Sequence, residues 1–199
     1  MTTLLQLNTS ARQNGNANLL ADKVTAAYLS AHPQTKVQIR DLASNPLPHL
    51  DEALLSAFFS SEESRTEEQK AHNQRSLALI EEIQNADVLV IAAPMYNFGI
   101  PSTLKAYFDH IARAGITFRY TATGPEGLLK GKKVIVAAAR GGIYAGTEND
   151  SQTQYFRTFL AFLGMTDVSF VYAEGLNMGE EAKARGEEHA SQLISRAIA

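Results

Sequence analysis

Short apolar runs recur along the chain, and between them apolar positions fall three or four residues apart. Residues 3–7, 88–93 and 133–139 are nearly unbroken apolar runs of strand length, as strands covered on both faces require. Residues 36–42 alternate, with Val37 and Ile39 on one face, as suits a strand nearer a sheet edge, and residues 167–173 read as a last strand. Helical spacing marks residues 18–30 through Leu20, Val24, Ala27 and Tyr28. It also marks residues 101–112 through Leu104, Tyr107, Phe108 and Ile111, with Pro101 in the first turn. Asp51 caps a short helix to residue 59, and the exposed polar stretch 60–68 follows. Thr66 and Gln69 have the spacing of a capping box for a helix over 66–84, with Leu77, Ile80 and Ile83 inward. Residues 151–163 and 179–198 read as the last two helices, the latter with Leu193, Ile194 and Ala197 inward. Residues 116–127 form a hairpin-like excursion.

Five strands separated by helices predict an α/β fold, a doubly wound three-layer sandwich around a parallel sheet. With no second βαβαβ half, the flavodoxin-like strand order 2-1-3-4-5 is expected, as one domain over residues 1–199. In that order the first, third and fourth strands are neighbours. The loops at their C-terminal ends meet in one crevice, where open α/β sheets bind ligands.

Each of the three loops carries suggestive chemistry and a plainer alternative. The first, residues 8–18, leads into a helix start, where free amides and the helix dipole favour a phosphate. Ser10, Asn16 and Asn18 offer hydrogen bonds, Arg12 offers charge, and Gly15 permits tight curvature. The plainer reading is a polar turn with Asn16 or Asn18 capping the helix. The second loop, Pro94-Met95-Tyr96-Asn97-Phe98-Gly99, suits a flat, hydrogen-bonding aromatic ligand, unless its rings simply pack into the core. The third, Ala139-Arg140-Gly141-Gly142, allows close backbone approach, or serves only for curvature.

Composition narrows the chemistry. The net charge is −3, and no Lys/Arg run suggests nucleic acid. Cysteine is absent, which excludes disulfides, thiolate catalysis and Cys-ligated clusters. The five histidines are scattered without metal spacing, so no metal is expected, and His110 reads as structural or exposed. No apolar stretch reaches about 18 residues, so no membrane span is expected. The first residues lack the basic start of a secretion signal, and a cytoplasmic location is the default expectation.

Met95 to Phe98, Arg113-Ala114-Gly115-Ile116-Thr117-Phe118-Arg119-Tyr120, Gly124-Pro125-Glu126-Gly127-Leu128 and Arg140-Gly141-Gly142 occur in this order. Together they resemble the bacterial FMN-dependent NADH:quinone oxidoreductases, also called azoreductases, over essentially the whole chain. The resemblance implies a homodimer with one FMN per subunit near the interface. It implies hydride transfer from NADH through FMN to quinones and azo compounds in a ping-pong cycle. It places Ser10, Gly15, Asn16 and Ala17 at the FMN phosphate and Met95, Tyr96, Asn97 and Phe98 around the flavin ring. Ala139, Arg140, Gly141 and Gly142 fall at the ring's pyrimidine side, and Tyr120 and Phe162 at the substrate side. No catalytic acid stands out. Gly15 and Ala17 stand where the family often has serines, and so does Ala139, so tuning of FMN affinity and potential is expected to differ. A related FMN or chromate reductase, and a non-enzymatic electron carrier, are the alternative readings.

Overall fold

The computed structural model describes residues 1–198. Five parallel strands form the sheet: β1 (Thr3–Asn8), β2 (Lys36–Asp41), β3 (Val88–Pro94), β6 (Lys133–Ala139) and β7 (Asp167–Ala173). Their order is β2-β1-β3-β6-β7, which is 2-1-3-4-5 when the parallel strands alone are counted. The fold is flavodoxin-like, as the sequence predicts. The remaining two strands, β4 (Phe118–Thr121) and β5 (Gly124–Gly127), pair antiparallel and make the expected hairpin.

Alternation along each strand sends side chains to two cores. Leu89, Ile91 and Ala93 face one layer, with α3 (Glu67–Asn85), α4 (Ser102–Ile111) and α5 (Ser151–Phe162). Val88, Val90 and Ala92 face the other, with α1 (Asn16–Ala31) and α6 (Glu180–Ile198). Every residue of β3 is buried. The edge strand β2 leaves Ile39 exposed.

Asp51 caps α2 (Glu52–Phe59) by accepting from the Leu54 amide at 2.8 Å. Thr66 and Gln69 form the expected capping box on α3. Two details differ from expectation. Pro101 sits at the N-cap of α4, one residue before its first turn. Leu77 is 39% exposed, and the inner stripe of α3 is Asn73, Ser76, Leu79, Ile80 and Ile83. Two polar residues enter that stripe because each has a buried partner. The guanidinium of Arg113 donates to Asn73 Oδ1 at 2.9 Å and Ser76 Oγ at 2.8 Å, and it lies 4.0 Å from the Phe58 ring centre. Burial pulls the Arg113 pKa down to about 10. The Arg113–Tyr120 segment thus begins with a structural anchor. His110 is fully buried, and burial holds its imidazole below the ordinary value.

Candidate active site

β3 pairs with β1 on one side and β6 on the other, so the loops leaving all three strands open at one sheet edge. In the first loop Thr9 Oγ1 donates to the Ala92 carbonyl at 2.6 Å, which ties the loop to β3. Neither Asn16 nor Asn18 caps α1. Gly15 is the N-cap, with no side-chain hydrogen bond, and Asn18 Oδ1 instead accepts from the Ser10 amide at 3.3 Å. The first-turn amides of α1 therefore keep no side-chain partner among the described residues. A Cβ at Gly15 would lie 2.0 Å from Ser10 Oγ, so with Ser10 in this position the glycine leaves room for its hydroxyl.

The second loop is a tight turn. Tyr96 and Gly99 exchange both backbone hydrogen bonds, at 3.1 and 2.9 Å. Asn97 and Phe98 between them both have left-handed backbones, at φ 50° and 64°. Such a turn demands positive φ at both central residues, which Asn tolerates and Phe resists. The turn lifts Phe98 out of the core to 53% exposure, its ring edge-on to Tyr144 at 5.7 Å between centres. Tyr96 reaches the other way: its hydroxyl accepts from the Ala11 amide at 3.2 Å and lies 3.3 Å from Ser10 Oγ. The side chain of Tyr96 therefore joins the Ser10 end of the site.

In the third loop Arg140 borders the cleft, and its side chain is fully buried in a polar cluster. The guanidinium donates to Asp150 Oδ1 at 2.8 Å, Glu174 Oε1 at 3.1 Å and Thr153 Oγ1 at 3.1 Å, and stands 4.9 Å from the Tyr172 ring. Burial pushes the Asp150 carboxyl up, but hydrogen bonds from Arg140 and Thr153 outweigh it and hold the pKa below its ordinary value. Only backbone is left to face the cleft here. Gly141 fits because a Cβ would meet the Asn177 side chain at 2.5 Å.

Ser10, Gly15, Asn16, Ala17, Met95, Tyr96, Ala139, Arg140 and Gly141 all border one cleft of about 250 Å³. Asn97, Phe98 and Gly142 line an adjoining depression of about 510 Å³, and Met95, Gly141 and Asn177 border both. The trough is polar at the Ser10–Ala17 end and aromatic at the Phe98–Tyr144 end. Leu176, Asn177 and Met178, from the loop after β7, were missed as lining residues. The strand order carried the signal, because β7 neighbours β6 and its loop must lie beside the third one. A separate cavity of about 410 Å³ between α1 and α6 is lined mainly by leucine and alanine around three charged side chains.

Tyr120 and Phe162 lie elsewhere. Ser151, at the start of α5, donates to the Phe98 carbonyl, whereas Phe162 ends that helix, about 17 Å further along it. The Phe162 ring packs on Phe118 at 4.4 Å, and Tyr120 stands on Phe118 with 76% exposure. The hairpin is seated by backbone contact, since a Cβ on Gly127 would lie 2.0 Å from the Gly164 amide nitrogen.

A family model described as "Flavodoxin-like fold" matches residues 2–197. The chain is 59% identical to proteins named FMN-dependent NADH:quinone oxidoreductase 6 from Burkholderia lata and FMN-dependent NADH:quinone oxidoreductase from Paraburkholderia phymatum. Each match covers 99% of this chain and 100% of the relative. A crystal structure of an FMN-dependent NADH-azoreductase from Bacillus anthracis in complex with FMN superposes with a TM-score of 0.84 at 27% identity, covering 100% of both chains. Sheet order, crevice and sequence agree, and the chain belongs to the flavodoxin-like family that contains the FMN-dependent NADH:quinone oxidoreductases.

Proposed function

We propose that this protein binds FMN in the trough and uses it to pass two electrons from NADH to quinones and azo compounds. The observation that carries the reading is the uncapped start of α1 at the polar end of a trough whose other end is aromatic. The residues present fit the group. The amides of Asn16, Ala17 and Asn18 with Ser10 Oγ would receive the phosphate, and Arg12 would offset its charge. Met95, Asn97 and Phe98 on one wall and the Gly141–Gly142 backbone on the other would hold the ring. Bound FMN supplies a carrier that accepts two electrons from one substrate and returns them to the next.

The polypeptide contributes position, shape and fixed dipoles. Donors on the 139–142 backbone would oppose negative charge building up beside them, without rearrangement. NADH and the acceptor would occupy the same surface in turn, which gives ping-pong kinetics. Protein purified with FMN is expected to be yellow, to bleach with NADH under anaerobic conditions, and to recover its colour on adding a quinone. Correctly folded protein that takes up no FMN would end this reading.

Phe162 ends α5 far from the cleft of its own chain and Tyr120, on β4, shares its neighbour Phe118, so we infer that both serve the cleft of a second copy in a homodimer. Exposed Tyr120 would then offer a stacking face to flat acceptors. Tyr120→Ala is expected to raise the apparent quinone KM about tenfold, the scale of one lost aromatic contact, while FMN stays bound. Unchanged quinone kinetics would remove Tyr120 from the acceptor site.

A further inference from the structure

The turn at 96–99 holds a phenylalanine in a left-handed backbone, a conformation that persists only where its surroundings over-determine it. The turn's own two hydrogen bonds and the Met95 amide, which donates to the Ala139 carbonyl at 3.2 Å, are part of that support, and the start of α5 adds to it. Gln152 is 1% exposed, and its Nε2 donates to the Pro94 carbonyl at 2.9 Å and to the Gly99 carbonyl at 3.4 Å. One amide group thus grips both roots of the turn. The Ser151 hydroxyl donates to the carbonyl of Phe98 between them.

The other end of the Gln152 amide is equally committed. Its Oε1 accepts from Arg140 Nε at 3.4 Å, and the same guanidinium is fixed by Asp150 and Glu174. The orientation of this amide follows from its partners, since a guanidinium only donates and carbonyls only accept. Arg140 leads the loop that forms the opposite wall of the trough. Glu174 also accepts from the amides of Tyr144 and Ala145, both at 2.9 Å, so the far end of that loop hangs on the same cluster. Gln152 is therefore the single side chain among the described residues that bonds to both walls, the 94–99 turn and Arg140.

We propose that Gln152 is a positioning residue: by tying the Pro94–Gly99 turn to the Arg140 loop it sets the width of the trough that grips the flavin ring. This rests on the FMN reading above, and it touches neither the phosphate seat nor the acceptor. A change at Gln152 should therefore alter how the two redox forms of the ring are held, because they differ in shape and charge while the phosphate does not.

Two variants test it. Gln152→Met fills a similar volume with neither donor nor acceptor. Gln152→Glu keeps the acceptor for Arg140 but presents oxygen to the Pro94 and Gly99 carbonyls. In both, hydrogen exchange at the Met95, Tyr96 and Gly99 amides, followed before FMN is added, is expected to quicken roughly tenfold or more relative to the central strands, as two carbonyls lose a buried donor. FMN binding, read by fluorescence quenching, is expected to weaken roughly tenfold. The midpoint potential should move by about 30 mV, the equivalent of a tenfold difference between the two redox forms for a two-electron couple. A residue that merely filled space would lower the melting temperature and leave potential and local exchange where they were. Wild-type exchange at those three amides, or wild-type affinity together with wild-type potential, would overturn the proposal. Should the wild type take up no FMN, the functional reading falls, while the exchange measurement still decides whether Gln152 holds the turn.

Discussion

Arg140→Met is expected to destabilise the fold by about 3–5 kcal/mol, the usual cost of breaking a buried ion pair from one side. The side chains of Asp150 and Glu174 are only 6% and 13% exposed, and without the guanidinium their charges have no equivalent partner. For a chain of this length each kcal/mol moves the melting temperature by about 2–4 °C, so a fall of roughly 6–20 °C should appear in a thermal scan. The pH dependence separates this cause from a simple loss of packing. In the wild type the folded pKa of Asp150 lies below its ordinary 3.8. Its contribution is therefore present above pH 3.8 and is lost as the pH falls through the folded value. In the variant the hydrogen bond and charge of Arg140 are gone while the two Thr153 hydrogen bonds remain, so the folded pKa of Asp150 moves up from its wild-type position. The deficit should therefore shrink as the pH is lowered from 7 into the carboxylate range, where the variant's carboxyl takes up a proton before the wild type's does. Asp150→Asn and Glu174→Gln, added to Arg140→Met, should recover much of the loss at pH 7. A single variant as stable as wild type, or equally deficient at pH 7 and in that range, would show that the cluster does not support the loop as described.

The same cluster shows where sequence reading stops. The strands were legible because β3 and β6 are unbroken apolar runs, and the convergence of three loops followed from strand order alone. The start of α3 was legible because a capping box is local, four residues long. Its inner face was legible at Ile80 and Ile83 but not at its polar positions, because only apolar positions were counted. Ser76 and Asn73 belong to that face through partners on another helix and in the segment after it, with Ser76 donating to the His110 carbonyl at 2.7 Å and both accepting from Arg113. The ion pairs of Arg140 were not legible for a related reason, since nothing nearby in sequence reveals that its acids stand at 150 and 174. Tyr120 and Phe162 were placed by resemblance, which carries position along a chain but does not say which copy's cleft a residue serves. Apolar runs and caps close in sequence were legible to within a residue or so, then, and side chains whose partners are distant in sequence were not.

Asn16→Asp is expected to separate folding from binding more sharply than any loss of a donor. Helices α2, α3 and α6 each carry acids in the first turn, whereas α1, like α4 and α5, carries none, and of these three only α1 opens on the polar end of the trough. A carboxylate there would ordinarily stabilise the helix by about 0.3–1 kcal/mol through its dipole. The variant should therefore melt at the wild-type temperature or slightly above it. Its FMN affinity should collapse. Asn16 borders the polar end of the trough, and a carboxylate about 4 Å from a phosphate is opposed by about 1–4 kcal/mol per unit charge, according to how well water screens the pair. The loss is then roughly 10- to 1000-fold, largest at low ionic strength and reduced by salt. Riboflavin supplies the internal control. It has the same ring and no phosphate, so its weaker binding should be the same in variant and wild type. Equal losses for FMN and riboflavin would mean that the loop had been distorted. Undiminished FMN binding would mean that the phosphate does not sit at the start of α1, and the polar end of the trough would need another occupant. The expected pattern, a fold untouched or improved and a phosphate selectively refused, arises only if a helix has been left uncapped and free of acid so that a ligand can supply the negative charge.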